Sequence, residues 1–275
     1  MKRIFKFLLA IVIIVVFAVG GLYTFQGMFI FMPKELPKDF TYNFPSLSSD
    51  ISFEEIFITT QDGARLNALH FKVEKPGGVV VYFHGNAHNL SKWGAIASQF
   101  TKHGYNVLMM DYRGYGKSTG KRTEENMYED ALTFYKKANE LYPETQTVVY
   151  GRSLGTTFAT YVASKNNPRK LILESPFYSL SDVVKTRYPF LPAEKLLKYQ
   201  FNTGSFVDNV KAPVTIIHGT NDGIVPFSSG EKLFHVFPED KRKMVAIAGA
   251  KHNNLAKFQE FFITLTGVLG YVPAP

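Results

Sequence analysis

The stretch Val148-Val149-Tyr150-Gly151-Arg152-Ser153-Leu154-Gly155-Thr156-Thr157 sets a serine between two glycines in the pattern G-x-S-x-G. A short β-branched strand leads in, and a helix of small residues (T-T-F-A-T-Y-V-A) leads out. That context, more than the bare pattern, marks a hydroxyl presented on a sharp strand-to-helix turn. The turn needs residues without bulk on either side, because strand and helix approach closely, and Gly151 and Gly155 meet that need. The free N–H groups at the start of such a helix favour a developing anion.

A serine hydroxyl is a weak nucleophile until a base takes its proton and a third group orients the base. Of the seven histidines, His252 lies in the loop Gly249-Ala250-Lys251-His252-Asn253-Asn254, between the last expected strand and the last helix. His218 reads as a core or strand-end residue, and His84 and His88 flank another strand end. His70, His103 and His235 fall in strand or helix patterns. Asp222, in His218-Gly219-Thr220-Asn221-Asp222-Gly223, follows a buried strand and is the candidate acid; Glu174 and Asp208 are its rivals. An oxyanion needs two backbone donors. One is expected from Leu154, directly after the serine. The other is expected from the loop His84-Gly85-Asn86-Ala87-His88-Asn89, through the N–H of Asn86 or of Ala87.

Elements that would position these residues alternate along the body. Strands are expected at 52–60, 66–73, 78–83, 106–110, 147–150, 170–173, 214–218 and 244–248. Helices are expected at 90–103, 124–142, 154–165, 229–236 and 254–267. Continuous apolar runs such as V-V-V-Y-F suit strands buried on both faces, as in a parallel sheet covered by helices. Gln61-Asp62-Gly63 joins the first two strands as a hairpin. The class is therefore α/β with a mostly parallel sheet, in one domain over 33–275. Residues 175–212 interrupt the alternation with Pro176, Pro189, Pro192 and the aromatics Phe177, Tyr178, Tyr188, Phe190 and Tyr199. They are expected to form a small lid over the ligand-binding edge of the sheet, with its aromatics lining an acyl pocket.

Residues 7–33 carry no charge, and Phe7 to Tyr23 is almost wholly apolar. Lys2, Arg3 and Lys6 precede the run. This is the pattern of a spanning segment with its N-terminus in the cytoplasm and the body outside. Residues 1–32 are thus expected to be a membrane anchor with a juxtamembrane segment; a cleaved signal peptide, with Ala18-Val19-Gly20 as the site, is the rival.

Composition narrows the chemistry. There is no cysteine, so disulfides, thiolate metal sites and a cysteine nucleophile are excluded. The net charge of +8 contains no basic block beyond Lys241-Arg242-Lys243 beside Glu239 and Asp240, so nucleic-acid binding is not expected. Gly114-Tyr115-Gly116-Lys117-Ser118 fails as a phosphate loop, because position 111 is Asp, and as a dinucleotide fingerprint, because position 119 is Thr. No H-E-x-x-H or similar cluster calls for a metal.

With H-G-N-A at 84–87, D-Y-R-G-Y-G-K-S at 111–118, G-R-S-L-G at 151–155 and H-G-T-N-D-G-I-V-P at 218–226 followed by Lys251-His252, residues 80–253 resemble the α/β-hydrolase family. The chain is also similar to a narrower group of small, N-terminally anchored hydrolases with depalmitoylase-like and lysophospholipase-like members. There F-Q-x-x-x-I-F-x-P follows the anchor, matched by Phe25-Gln26 and Ile30-Phe31-Met32-Pro33, and E-S-P-F-Y-S at 174–179 also fits. The resemblance implies the α/β-hydrolase fold with a mostly parallel eight-stranded sheet, a Ser153–Asp222–His252 triad in the family's chain order, and no cofactor. Its reaction would be acyl transfer to water from a small-molecule or lipid ester or thioester. A serine rather than an aspartate on the turn disfavours the dehalogenase and epoxide-hydrolase branches. Two alternatives stand beside it: an aminopeptidase-like serine peptidase, disfavoured by the basic lean of the lid, and a non-catalytic tethered binding protein, disfavoured because every triad role has a candidate.

Overall fold

The computed structural model describes residues 2–270, apart from the side chains of Val12, Val15 and Ala18. In chain order the strands are β1 (Met32–Pro33), β2 (Ser52–Thr59), β3 (Arg65–Lys72), β4 (Gly78–Phe83), β5 (Ala87–His88), β6 (Tyr105–Met110), β7 (Thr147–Arg152), β8 (Lys170–Glu174), β9 (Val214–Gly219) and β10 (Arg242–Ile247). The α-helices are α1 (Lys2–Ile30), α2 (Leu90–Trp93), α3 (Ser98–Thr101), α4 (Glu124–Asn139), α5 (Gly155–Lys165), α6 (Leu180–Arg187), α7 (Ala193–Leu196), α8 (Phe227–Val236) and α9 (Gln259–Leu269).

Eight strands form one sheet in the order β10-β9-β8-β7-β4-β6-β3-β2. Only β3 runs against its neighbours; the others are parallel. This is the mostly parallel eight-stranded α/β architecture expected from the apolar runs. In β4, Val79, Val81 and Phe83 belong to one core, which also holds Met127 and Ala131 of α4, Phe158 of α5 and Leu233 of α8. Val80 and Tyr82 face the other, against Leu90 of α2, Phe100 of α3, and Phe261 and Leu265 of α9. Side chains alternate across a strand, so covering both faces is what turned the sequence into an unbroken apolar run.

Local chemistry sets the element ends. Thr123 caps α4 by accepting from the N–H of Asn126 at 3.1 Å, and Glu124 and Glu125 sit in the first turn with Lys136 and Lys137 in the last. Pro143 prevents the helix from reaching the expected residue 142 and beyond. The helix expected over 90–103 is instead α2, a 3₁₀ segment Gly94–Ala97, and α3. Gly94 packs against the Phe44 ring so tightly that a Cβ there would collide with it. The last helix starts at Gln259, after a 3₁₀ turn Leu255–Lys257, rather than at 254.

Residues 175–212 form α6, α7 and the 3₁₀ segment Thr203–Asn209. Their aromatics divide: Phe177, Tyr199 and Phe201 are buried in the core, whereas Tyr188 and Phe190 are exposed. Helix α1 exposes most of its apolar side chains, including Phe7, Ile14, Phe17 and Leu22. The spanning segment expected over 7–23 includes the three undescribed side chains; among the described residues no helix is long and apolar enough to cross a membrane.

The approach of α5 to the sheet depends on two glycines. A Cβ on Gly151 would lie 2.5 Å from the carbonyl oxygen of Gly155, and one on Gly155 would overlap the Phe83 carbonyl, a backbone group that cannot swing aside. Replacing glycine by alanine in a helix ordinarily gains up to about 1 kcal/mol. Here Gly155→Ala is expected to lose about 3 kcal/mol or more through overpacking. Urea denaturation checks this, and an unchanged or raised midpoint would refute the steric account.

Candidate active site

Strands β4, β7, β9 and β10 are parallel, so the loops that leave them emerge at one edge of the sheet. Ser153 lies between β7 and α5, Asp222 follows β9, His252 follows β10, and Asn86 and Ala87 follow β4. Ser153 has φ of +51°, the left-handed region that costs an L-residue roughly 1–3 kcal/mol. Its N–H donates to the Glu174 carbonyl at 2.9 Å, and its carbonyl accepts from the N–H of Thr156 at 2.9 Å, which holds the turn from both sides.

The structure brings the three expected side chains together. His252 Nε2 is 3.0 Å from Ser153 Oγ, and His252 Nδ1 is 2.7 Å from Asp222 Oδ2. The neutral tautomer that donates from Nδ1 to the carboxylate leaves Nε2 free to accept the serine proton. Asp222 Oδ1 accepts from the N–H groups of Ile224 and Val225, both at 2.9 Å. The carboxyl side chain is fully buried, which opposes its charge. Bonds from His218, His252 and the backbone prevail and hold it well below the usual carboxylate range.

His218 is a contributor that the sequence reading left in the core. It is fully buried, with Nε2 3.3 Å from Asp222 Oδ2 and 3.1 Å from the Val225 carbonyl. Its spacing of four from Asp222 across the turn was the available signal. The rival acids are elsewhere. Glu174 accepts from Tyr150 Oη at 2.7 Å and pairs with Arg152 Nε at 3.2 Å, and Asp208 is exposed on the 3₁₀ segment. Arg152 also reaches the His252 carbonyl at 3.2 Å and lies 5.1 Å over the Trp93 ring. It braces the base's loop from the serine's own strand, a role that the variable position of G-x-S-x-G does not signal.

The loop after β4 is held as firmly. His84 Nδ1 donates to the Gly85 carbonyl at 2.6 Å, and its Nε2 is 3.3 Å from Asp111, both side chains being fully buried. Burial pushes the Asp111 carboxyl up, against His84 and the N–H of Leu90. Gly85 stands next to Ser153; a Cβ there would be 3.7 Å from the serine's own. Leu154 precedes α5, with its N–H at the helix start. The glycine loop at 114–118 buttresses this region: Ser118 Oγ donates to the Asp111 carbonyl at 2.7 Å, and Tyr115 Oη to the Asn86 carbonyl at 2.7 Å.

Ser153 and His252 open into a cavity of about 440 Å³ with Asn86, Ala87 and His88 on one side. Met32, Trp93, Ile96 and Ile224 supply its apolar walls and Lys92 and Arg152 its cations. None of the lid aromatics expected to line an acyl pocket lies there. Phe177 and Tyr199 are buried in the core, Tyr199 edge-on to Phe31, Tyr178 is half-buried, and Tyr188 and Phe190 face outward. Among the described residues no group of three or more His, Asp or Glu is gathered to hold a metal ion.

The depressed Asp222 has a consequence for stability. A carboxyl held below its unfolded value of about 3.9 stabilises the fold above that pH and loses the contribution as acid protonates it in the native state. The stability difference between the wild type and Asp222→Asn is therefore expected to be largest above about pH 5 and to shrink on acidification below about pH 4. Denaturation midpoints across pH 3–7 check this; a difference independent of pH would refute it.

The family described as Hydrolase_4, serine aminopeptidase, S33, matches residues 74–203. The chain is 30% identical over 265 residues to protein bem46 of Schizosaccharomyces pombe, a match covering 92% of this chain and 88% of that one. It is 31% identical over 187 residues to lysophosphatidylserine lipase ABHD12 of Danio rerio, covering 59% and 48% respectively. Its fold is similar to that of an esterase from Pyrococcus furiosus, with a TM-score of 0.67 at 21% identity over 87% of this chain and 97% of that one. With this sheet, this turn and these relatives, the chain belongs to the serine hydrolases of the α/β-hydrolase family, in the group of bem46 and ABHD12, and is a hydrolase.

Proposed function

We propose that the protein is a membrane-tethered serine hydrolase that cleaves carboxylic ester or thioester bonds through an acyl-enzyme. The observation that carries this reading is the unbroken relay from Ser153 Oγ to His252 to Asp222, at 3.0 and 2.7 Å, opening on an apolar-walled cavity. Ser153 attacks the carbonyl carbon as His252 Nε2 takes its proton. Asp222 orients the ring and stabilises the imidazolium. The N–H of Leu154 and one from Asn86 or Ala87 hold the oxyanion. His252 then returns the proton to the leaving oxygen or sulfur, and afterwards activates the water that releases the acid.

Two observations favour esters over peptides with a free N-terminus. The described lining of the cavity contains no carboxylate side chain to hold an α-ammonium group, and its charged members are cations. A relative named as a lipase and a fold neighbour named as an esterase point the same way. Tethering is supported by the uncharged run 7–33 and the exposed apolar side chains of α1. The basic residues before that run orient the N-terminus to the cytoplasm and the catalytic domain outward.

Hydrolysis of p-nitrophenyl esters of graded chain length is expected from the purified wild type. Ser153→Ala and His252→Ala are each expected to lower kcat by about 10³-fold or more and to abolish labelling by a fluorophosphonate. Wild-type inactivity at every chain length, or labelling that survives Ser153→Ala, would overturn the reading. For the tether, the full chain is expected to stay with membranes through alkaline carbonate extraction, and release into the soluble fraction would refute it.

A further inference from the structure

The motif Phe25-Gln26 and Ile30-Phe31-Met32-Pro33 takes no part in the chemistry above, yet it is fastened to the site. The Met32 N–H donates to the Asn86 carbonyl at 3.0 Å, and β1 pairs in parallel with β5, Met32 opposite Ala87. Asn86 Nδ2 donates back to the Ile30 carbonyl at 2.8 Å, and Asn89 Nδ2 to the Lys34 carbonyl at 2.6 Å. On the other side Gln26 grips the lid: its Nε2 donates to the Leu196 carbonyl, and its Oε1 accepts from the Lys198 N–H at 2.8 Å. Phe31 is buried edge-on against Tyr199 and Phe201, at 5.0 and 6.0 Å, which fixes where α1 ends.

These bonds act on the groups that would face an oxyanion. A peptide unit is planar, so holding its carbonyl sets the direction of the N–H on the same unit. The Asn86 carbonyl accepts from both the Met32 N–H and Tyr115 Oη, which aims the N–H of Ala87. The Gly85 carbonyl accepts from His84 Nδ1, which aims the N–H of Asn86. Either candidate donor is thus oriented through its neighbour's carbonyl, and the juxtamembrane chain holds one of the two directly.

We propose that residues 26–34 are a positioning element of the active site, orienting the oxyanion loop on one side and the lid on the other, so that helix α1 and the oxyanion donors behave as one body. The inference rests on the serine-hydrolase reading above. Donors aimed at a tetrahedral intermediate lose much of their effect when displaced by about 1 Å, which costs on the order of 10²-fold in rate.

The experiment uses the full chain in detergent micelles, which holds tethering constant. Asn86→Ala removes the bond to Ile30 while keeping every backbone N–H. Asn89→Ser keeps a capping hydroxyl for α2 but is too short to reach Lys34. Phe17→Ala, on the exposed face of α1 and outside residues 26–34, is the control. Both clamp variants are expected to lower kcat on p-nitrophenyl butyrate by about tenfold or more, with KM within about twofold and Tm within a few degrees. Their affinity for a trifluoromethyl ketone, which forms a tetrahedral oxyanion on the serine, is expected to fall in step with kcat, and Phe17→Ala is expected to match the wild type. Unchanged kcat in both clamp variants overturns the proposal. So does a loss of rate that follows a fall in Tm while ketone affinity holds, since the segment would then only support the fold. A wild type as inert as Ser153→Ala would sink the serine-hydrolase reading first and this inference with it.

Discussion

The backbone of Ser153 is held where L-residues seldom go, and the close approach of α5 to β4 and β7 across Gly151 and Gly155 makes that possible. The strain is local, but its relief is spread over the sheet. The N–H of Ser153 is taken by the carbonyl of Glu174 at the end of β8, and the carbonyl of Ser153 starts the turn into α5. The hydroxyl stands at the mouth of the cavity because packing between strand and helix leaves it no other position. A site on the ends of buried parallel strands inherits their rigidity, which free loops lack.

The charges brought to this edge are sorted by partners. Asp222 answers to two histidines and two backbone N–H groups. Glu174, its rival in the sequence, is taken by Arg152 and Tyr150. Asp111 is set against His84. Each acid at this edge has its own cationic or hydrogen-bonding neighbours, which keep their roles distinct. Arg152 links two of these groups, since the guanidinium that neutralises Glu174 also touches the main chain of the base's loop.

Much of the fold could be read because its strands are buried on both faces. Runs such as Val79–Phe83 carry the signal without any alternation to interpret, and all eight sheet strands were legible within two residues at their ends. Errors came where tertiary packing overrode local pattern: the segment expected as one helix over 90–103, with Gly94 pressed on the Phe44 ring, is α2, a 3₁₀ segment and α3, and the lid aromatics do not line the cavity. Ser153, Asp222 and His252 could be singled out because each sits at a strand end beside glycine or in a short polar loop. Arg152 could not, since the free position of a motif looks the same whether or not it touches a neighbouring loop, and His218 carried only its spacing of four from Asp222. The pairing of Met32 with Ala87 left no periodic trace, being two residues long.

The order of the strands along the chain also sets how far apart in sequence the meeting side chains lie. The hydroxyl follows directly on the seventh strand, and the imidazole it meets lies 99 residues later, beyond the tenth. Until β10 zips onto β9 at the sheet's outer border, the imidazole has no fixed seat. A chain lacking β10 would therefore keep the serine turn but lose the seat of the histidine beside it.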